Sequence, residues 1–395
     1  MISLKANVFF FLFILLSLSV KGQDPVRMFI FGHSLLDHRP PINPTPSNET
    51  TVPHWLKKLG DADNIDHFIG GQYGFLPQHR RTPPISQWGY DCVPGVWESD
   101  TETFAEAKIN TILITAGNFM QWQGPEEEYV TDPGVSPVSA TGDIVDWVDD
   151  QSDQEVRYYI YENWPDMAPF LSGDFPPSPS ELTSYLQHTK EAFHDWWIDY
   201  QDRMLQTHPD VNIRMIPVGP ILSDIIMDVL GDDIPASELY EDNAPHGRAS
   251  LYFLAGTITY MAVAERRISS SYVVPDIVHA SIRNRISEIV DRIWIELNEF
   301  NLDNGNSRVF YDQTSSVDNP IETDVIVYPT IAHRQIQLNS ETIKRISIFS
   351  MDGRHQGSHE LFPGVNDINI LNYNPGLYYI LNKDNGSRIA KFVKY

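Results

Sequence analysis

Four short apolar runs alternating with helix-length segments constrain this chain more than any other feature. Residues 28–31, 111–115, 157–161 and 213–218 are rich in β-branched and aromatic side chains, and each is soon followed by a glycine or an asparagine. A further strand over residues 66–69 leads into Gly70-Gly71-Gln72-Tyr73-Gly74, whose glycines predict a turn that either gathers N–H groups around an anion or simply closes the chain. Between the runs, residues 52–59 predict a short helix capped by Thr51, residues 178–206 a long helix opened by prolines, and residues 250–264 an apolar helix. Trp196, Trp197, Tyr200 and Met204 fall at near-helical spacing and predict a core stripe rather than a sugar platform. Residues 123–153 are acidic and carry proline and glycine, which predicts a surface excursion. Repeated strand–helix alternation predicts an α/β fold, a parallel sheet with helices on both faces.

Open sheets of this kind gather their chemistry at the carboxyl ends of the strands. Ser34 follows the first run, after Gly32 has let the chain turn, and Asn118 follows residues 111–115. A serine in such a place is either a cap or turn residue or a nucleophile, and a base supplied from elsewhere separates the two. His246, just before the apolar helix, is the candidate base. A proline-rich loop over residues 40–48 is expected to shape access to Ser34. His33, Asp37 and His38 crowd one turn and with His246 offer nitrogen and oxygen donors to a divalent ion, but the spacing matches no metal-binding motif.

Taken in order, Ser34, the glycines from Gly71 to Gly74, Asn118 and His246 resemble the four blocks of the SGNH, or GDSL-like, hydrolases. Gly32-His33-Ser34-Leu35 is similar to the first block with histidine in place of the usual aspartate, and Ala116-Gly117-Asn118 is similar to the third. The resemblance spans roughly residues 26–300. It implies a flavodoxin-like three-layer fold and a serine esterase that needs no metal and no other cofactor. It also implies Ser34 as nucleophile, His246 as base, and an oxyanion hole made by the Ser34 N–H, the Gly74 N–H and the Asn118 side chain, with Gly71 as the reserve glycine. The family places an aspartate three residues before its histidine, a position held here by Asn243. Either Asp242 reaches His246 through a shifted turn, or Ser34 and His246 act as a dyad; Asp242 is the expected partner. Phe119 stands where the family often carries a non-catalytic aspartate.

The remainder of the chain sets the setting for that chemistry. Lys5 precedes an apolar run over residues 8–18, and small and polar residues return at Ser19-Val20-Lys21-Gly22, the pattern of a secretory signal peptide over residues 1–22 and too short for a spanning helix. Cys92 is the only cysteine, so no intrachain disulfide can staple the fold. Of the net charge of −25, the last 75 residues contribute +1 and the first 22 contribute +2, which leaves −28 on residues 23–320. Such a surface repels nucleic acid and anionic membranes.

Residues 312–322 read as a linker, and from residue 325 short strand-like runs follow at 325–328, 336–338, 343–349, 368–371, 377–381 and 389–393. With turn signals at Asp352-Gly353 and Pro375-Gly376 they predict a small all-β sandwich. Val327-Tyr328-Pro329, Ile348-Phe349-Ser350-Met351-Asp352-Gly353-Arg354, Gly376-Leu377-Tyr378-Tyr379 and Lys391-Phe392-Val393-Lys394 closely resemble the type IX secretion C-terminal sorting domain. That resemblance implies the type IX machinery as a partner and export across both membranes of a Gram-negative cell. The alternative, a carbohydrate-binding β-module, lacks clustered tryptophans in the tail. The expected organisation is a signal peptide over 1–22, a hydrolase domain over 23–311, the linker, and a sorting domain over 323–395.

The expected activity is that of a secreted or surface-attached serine esterase removing acetyl or other acyl groups through an acyl-Ser34 intermediate. Trp88, Tyr90, Trp97 and Trp122, in loop-like surroundings, suggest an extended polysaccharide stacked on aromatics rather than a lipid. The competing class is a secreted binding or adhesion protein that keeps the fold without catalysis.

Overall fold

The computed structural model describes residues 24–38, 51–81, 88–90, 92–116, 122–311, 325–328, 331–340, 342–350, 354–383 and 388–394. The expected signal peptide, the proline-rich loop, Asn118 and the expected linker lie outside the described residues. The first unit runs through β1 (Val26–Gly32), α1 (Val52–Ala62), β2 (His67–Tyr73), α2 (Leu76–His79), β3 (Trp88–Gly89), β4 (Thr111–Ile114), α3 (Pro137–Gln151) and β5 (Arg157–Tyr161). It continues through α4 (Pro179–Lys190), α5 (Ala192–Thr207), β6 (Ile213–Ile216), α6 (Val218–Asp224), α7 (Ala236–Leu239), α8 (Ala249–Val263), α9 (Ala280–Asn284) and α10 (Ile286–Glu299). The strands form one sheet in the order β3-β2-β1-β4-β5-β6, in which five strands are parallel and β3 alone runs antiparallel to its neighbour.

The apolar runs are nearly continuous because both faces of each strand are covered. Along β1, Met28 and Ile30 enter a core shared with α1 and α8, while Phe29 and Phe31 enter a second core shared with α3 and α5. β5 divides in the same way, Tyr159 and Tyr161 to the first core and Tyr158 and Ile160 to the second. Every residue of α8 is buried, which is why its sequence is apolar all round. The strand order reverses between β1 and β4, and Ser34 follows the carboxyl end of β1 at that switch point, where open sheets of this kind bind ligands.

Three expectations need correction. The helix over residues 178–206 is two helices, broken at Glu191 (φ −106°, ψ −105°), where the sequence offers neither glycine nor proline to mark it. The second of them buries Trp197, Tyr200 and Met204 completely, so the aromatic stripe is core. Residues 137–151 are not a surface excursion but an amphipathic helix: Val138, Ile144, Val145 and Val148 pack on the sheet, and Asp143, Asp146, Asp149 and Asp150 form its exposed face. Gly70 and Gly71 do not turn the chain but lie within β2, opposite Phe29 and Ile30. A Cβ on Gly71 would stand 2.4 Å from the Ile30 carbonyl oxygen and 2.5 Å from the Tyr90 hydroxyl, so the glycine serves close packing.

The C-terminal unit is a mostly antiparallel β region. Its strands are β7 (Val325–Tyr328), β8 (Ile331–Ala332), β9 (Gln335–Ser340), β10 (Lys344–Ser350), β11 (His355–Leu361), β12 (Gly364–Asn369), β13 (Gly376–Asn382) and β14 (Arg388–Lys394). They form two sheets, β11-β10-β13-β14-β8 and β12-β9-β7, around a core that includes Ile336, Leu338, Ile346, Ile348, Ile368, Ile380 and Phe392. The sequence pattern missed β11 because it is an edge strand of polar residues, with only Leu361 buried.

Candidate active site

Ser34 sits on the tight turn that follows β1, which the His33 carbonyl closes by accepting the Leu36 N–H at 3.0 Å. The Ser34 carbonyl accepts from the Tyr252 hydroxyl of α8 at 3.0 Å, which pins the turn to the central helix. His33 accepts the Leu35 N–H through Nδ1 at 3.3 Å. Burial, the nearby His79 and then His246 push its ring down to about 3, so it is neutral at ordinary pH. Burial likewise holds His79 down at about 4, where its Nε2 donates to the Gly74 and Gly32 carbonyls.

His246 arrives on the loop between α7 and α8. Tyr240 and Gly247 pair as an antiparallel bridge, and the Glu241 N–H donates to the His246 carbonyl at 2.8 Å, so residues 241–246 form a closed excursion. Pro245 is anchored by Trp164, whose indole N–H donates to its carbonyl at 2.8 Å, and the Asn243 carbonyl accepts from the Met167 N–H at 3.1 Å. The result is a line of side chains: His246 Nε2 lies 2.9 Å from Ser34 Oγ, and His246 Nδ1 lies 2.8 Å from Asp242 Oδ2. Asp242 Oδ1 also accepts the Ala244 and His246 N–H groups at 3.1 and 3.2 Å. Burial works against the charged carboxylate of Asp242, but the bonds from His246 outweigh it and the group titrates below its usual range.

The expected oxyanion donors are not all in view. Among the described residues no acceptor engages the Ser34 N–H. The Gly74 N–H donates to the Gly32 carbonyl at 2.9 Å, while Gly71 is in the sheet, and Asn118 lies outside the described residues. The possible metal cluster does not form: the His38 ring lies flat against His246, and among the described residues no group of three or more His, Cys, Asp or Glu side chains is placed to hold a metal ion. Of the aromatics read as loop residues, Tyr90 and Trp97 are core, 8% and 6% exposed, with Trp97 edge-on to Phe29 and Phe104. Only the backbone of Trp88 is described, whereas Trp122 is 65% exposed.

The sequence reading missed several neighbours of this line. In the sequence His38 reads only as a potential metal ligand, and nothing there points to Glu241, which meets its Nδ1 at 3.1 Å. Tyr73 and Phe75, exposed at the end of β2, stand beside the turn, with the Phe75 ring 5.8 Å from that of His33. At the end of β5, Asn163 accepts from the Thr115 hydroxyl at 2.7 Å, and buried Glu162 pairs with His194 at 2.8 Å. A strand-end Glu-Asn pair was the available signal for these last two.

No protein-family model matches the chain, and no curated relative matches it. Among solved structures, a DUF4886 family protein from Bacteroides uniformis is similar at 12% identity with a TM-score of 0.40, over 67% of this chain and 95% of that one. Among the described residues no helix is long and apolar enough to cross a membrane.

Proposed function

We propose that this chain is a serine ester hydrolase of the SGNH type that removes small acyl groups from a carbohydrate, exported with a type IX sorting tail. The observation that carries the reading is the line of hydrogen bonds from Ser34 Oγ through His246 to Asp242. In acylation, Ser34 Oγ attacks the ester carbonyl carbon as its proton passes to His246 Nε2. The tetrahedral intermediate then collapses, the leaving alkoxide takes that proton, and the acyl group stays on Ser34. Water, giving a proton to His246, attacks the acyl-serine, and the second tetrahedral intermediate breaks its bond to Ser34 Oγ, which takes the proton back from His246 Nε2 as the carboxylic acid leaves. Asp242 holds the proton on Nδ1 and offsets the imidazolium charge. The exposed rings of Tyr73 and Phe75 beside the turn, with Trp122 exposed at 65%, favour a flat, extended alcohol such as a sugar chain.

The test is hydrolysis of short-chain acyl esters by the full chain lacking residues 1–22, compared with Ser34→Ala, together with fluorophosphonate labelling. Labelling and turnover that vanish in the variant are expected; equal rates would overturn the assignment. Release of acetate from acetylated glycans, set against release of fatty acid from lipid, decides the substrate class, and a preference for long acyl chains overturns the carbohydrate reading. The competing reading, a binding protein without turnover, draws on the Gly74 N–H, which is already bonded to Gly32, and a chain that takes no label would favour it.

A further inference from the structure

Four residues beyond Ser34, His38 turns back over the loop that carries the base. Its ring and that of His246 are stacked, with centroids 3.5 Å apart and planes 8° from parallel. His38 Nδ1 lies 3.1 Å from Glu241 Oε2, and Glu241 immediately precedes Asp242. Two consecutive carboxylates therefore each hold one of two stacked imidazoles. The His38, Glu241 and His246 side chains are only 14%, 13% and 13% exposed, so the stack keeps water from one face of the His246 ring.

Two imidazolium rings at this separation would repel, so one ring has to stay neutral when the other holds a proton. Burial and the His246 ring disfavour protonation of His38, against the pull of Glu241 and Asp242, and the balance falls on the neutral side. A neutral ring against the face of His246 tolerates the positive charge that His246 gains on taking the Ser34 proton.

We propose that His38 is a positioning residue for His246: tethered by Glu241, its ring fixes the plane of the His246 imidazole between Ser34 and Asp242 and shields the imidazolium from water. This rests on the serine-hydrolase reading, and the test separates the two. Fluorophosphonate titration of the full chain first counts reactive Ser34 sites, and turnover of a short acyl ester is then expressed per titrated site for wild type, His38→Ala and His38→Phe. A wild type that takes no label refutes the hydrolase reading itself. Given a labelled and active wild type, His38→Ala is expected to lower kcat per site and the labelling rate by about tenfold, with KM within about twofold, because a misoriented base slows the chemical step rather than binding. His38→Phe, which restores a flat ring, is expected to recover most of that loss. A variant that merely misfolds lowers the number of titrated sites and leaves kcat per site unchanged, and that result overturns the proposal. Equal damage in His38→Phe and His38→Ala also overturns it.

Discussion

Asp242 and His246 are four positions apart, and the closed loop between them makes that distance short. Because Oδ1 accepts two N–H groups of the same loop while Oδ2 meets the ring, the carboxylate both shapes the turn and orients the base. Asn243 instead contributes its backbone carbonyl, to Met167. In the proposed mechanism, Asp242→Ala is expected to lower kcat by about a hundredfold or more with little change in KM, and Asn243→Ala to stay within about threefold. Steady-state kinetics of the two variants checks this, and the reverse order would assign the partner to Asn243. A second prediction concerns Glu162 and His194. Burial pushes the Glu162 carboxyl up to about 7, even against the pull of His194. Burial opposes protonation of His194 too, but Glu162 prevails and raises it. Both shifts are upward, so above the ordinary carboxyl range the folded pair holds a proton that the unfolded chain has released. Stability from this pair is therefore present at low pH and lost as pH rises through the folded range, with a slope of at most about 1.4 kcal/mol per pH unit. Thermal stability is expected to decline between about pH 4.5 and 7, and Glu162→Gln to flatten that decline; an equal slope in the variant would exclude the pair as its source.

Helices α1 and α8 cross closely at Gly256. A Cβ on Gly256 would stand 2.5 Å from the Trp55 Cβ, an atom too near its own backbone to swing aside. Alanine at 256 gains about 1 kcal/mol of helix propensity, but overpacking this contact costs about 1–3 kcal/mol. The contact is expected to win: Gly256→Ala lowers Tm by a few degrees, and a raised Tm in a calorimetric scan would show that α1 can shift away. The same crowding explains Gly71 in β2, where the sheet rather than a turn requires the absent side chain. Helix α3 shows the opposite relation, since acidity that looked like a loop is one face of a helix whose other face fills the second core.

At the scale of the whole molecule, the α/β unit and the C-terminal β unit each own a core, with no residue of the third cluster shared with the first two. Removal of residues 323–395 is expected to leave kcat and KM for a short acyl ester within about twofold, because Ser34, His246 and Asp242 all lie in the first unit. Loss of activity on truncation, measured beside the full chain, would show that the tail supports the site. The sequence by itself determined the layered α/β class, the position of Ser34 at a strand end and six of the eight strands of the tail, because hydrophobic period and turn residues act locally. It also offered Asp242, with Asn243 and a dyad as the alternatives, and the structure places the Asp242 carboxylate 2.8 Å from His246 Nδ1. The break at Glu191, the burial of Tyr90 and Trp97, and the seating of Gly71 against Ile30 depended on tertiary packing, which no single window of sequence contains. The stack of His38 on His246 is of the same kind: the two rings are 208 positions apart in the chain, and only closure of the sheet and its loops brings them face to face.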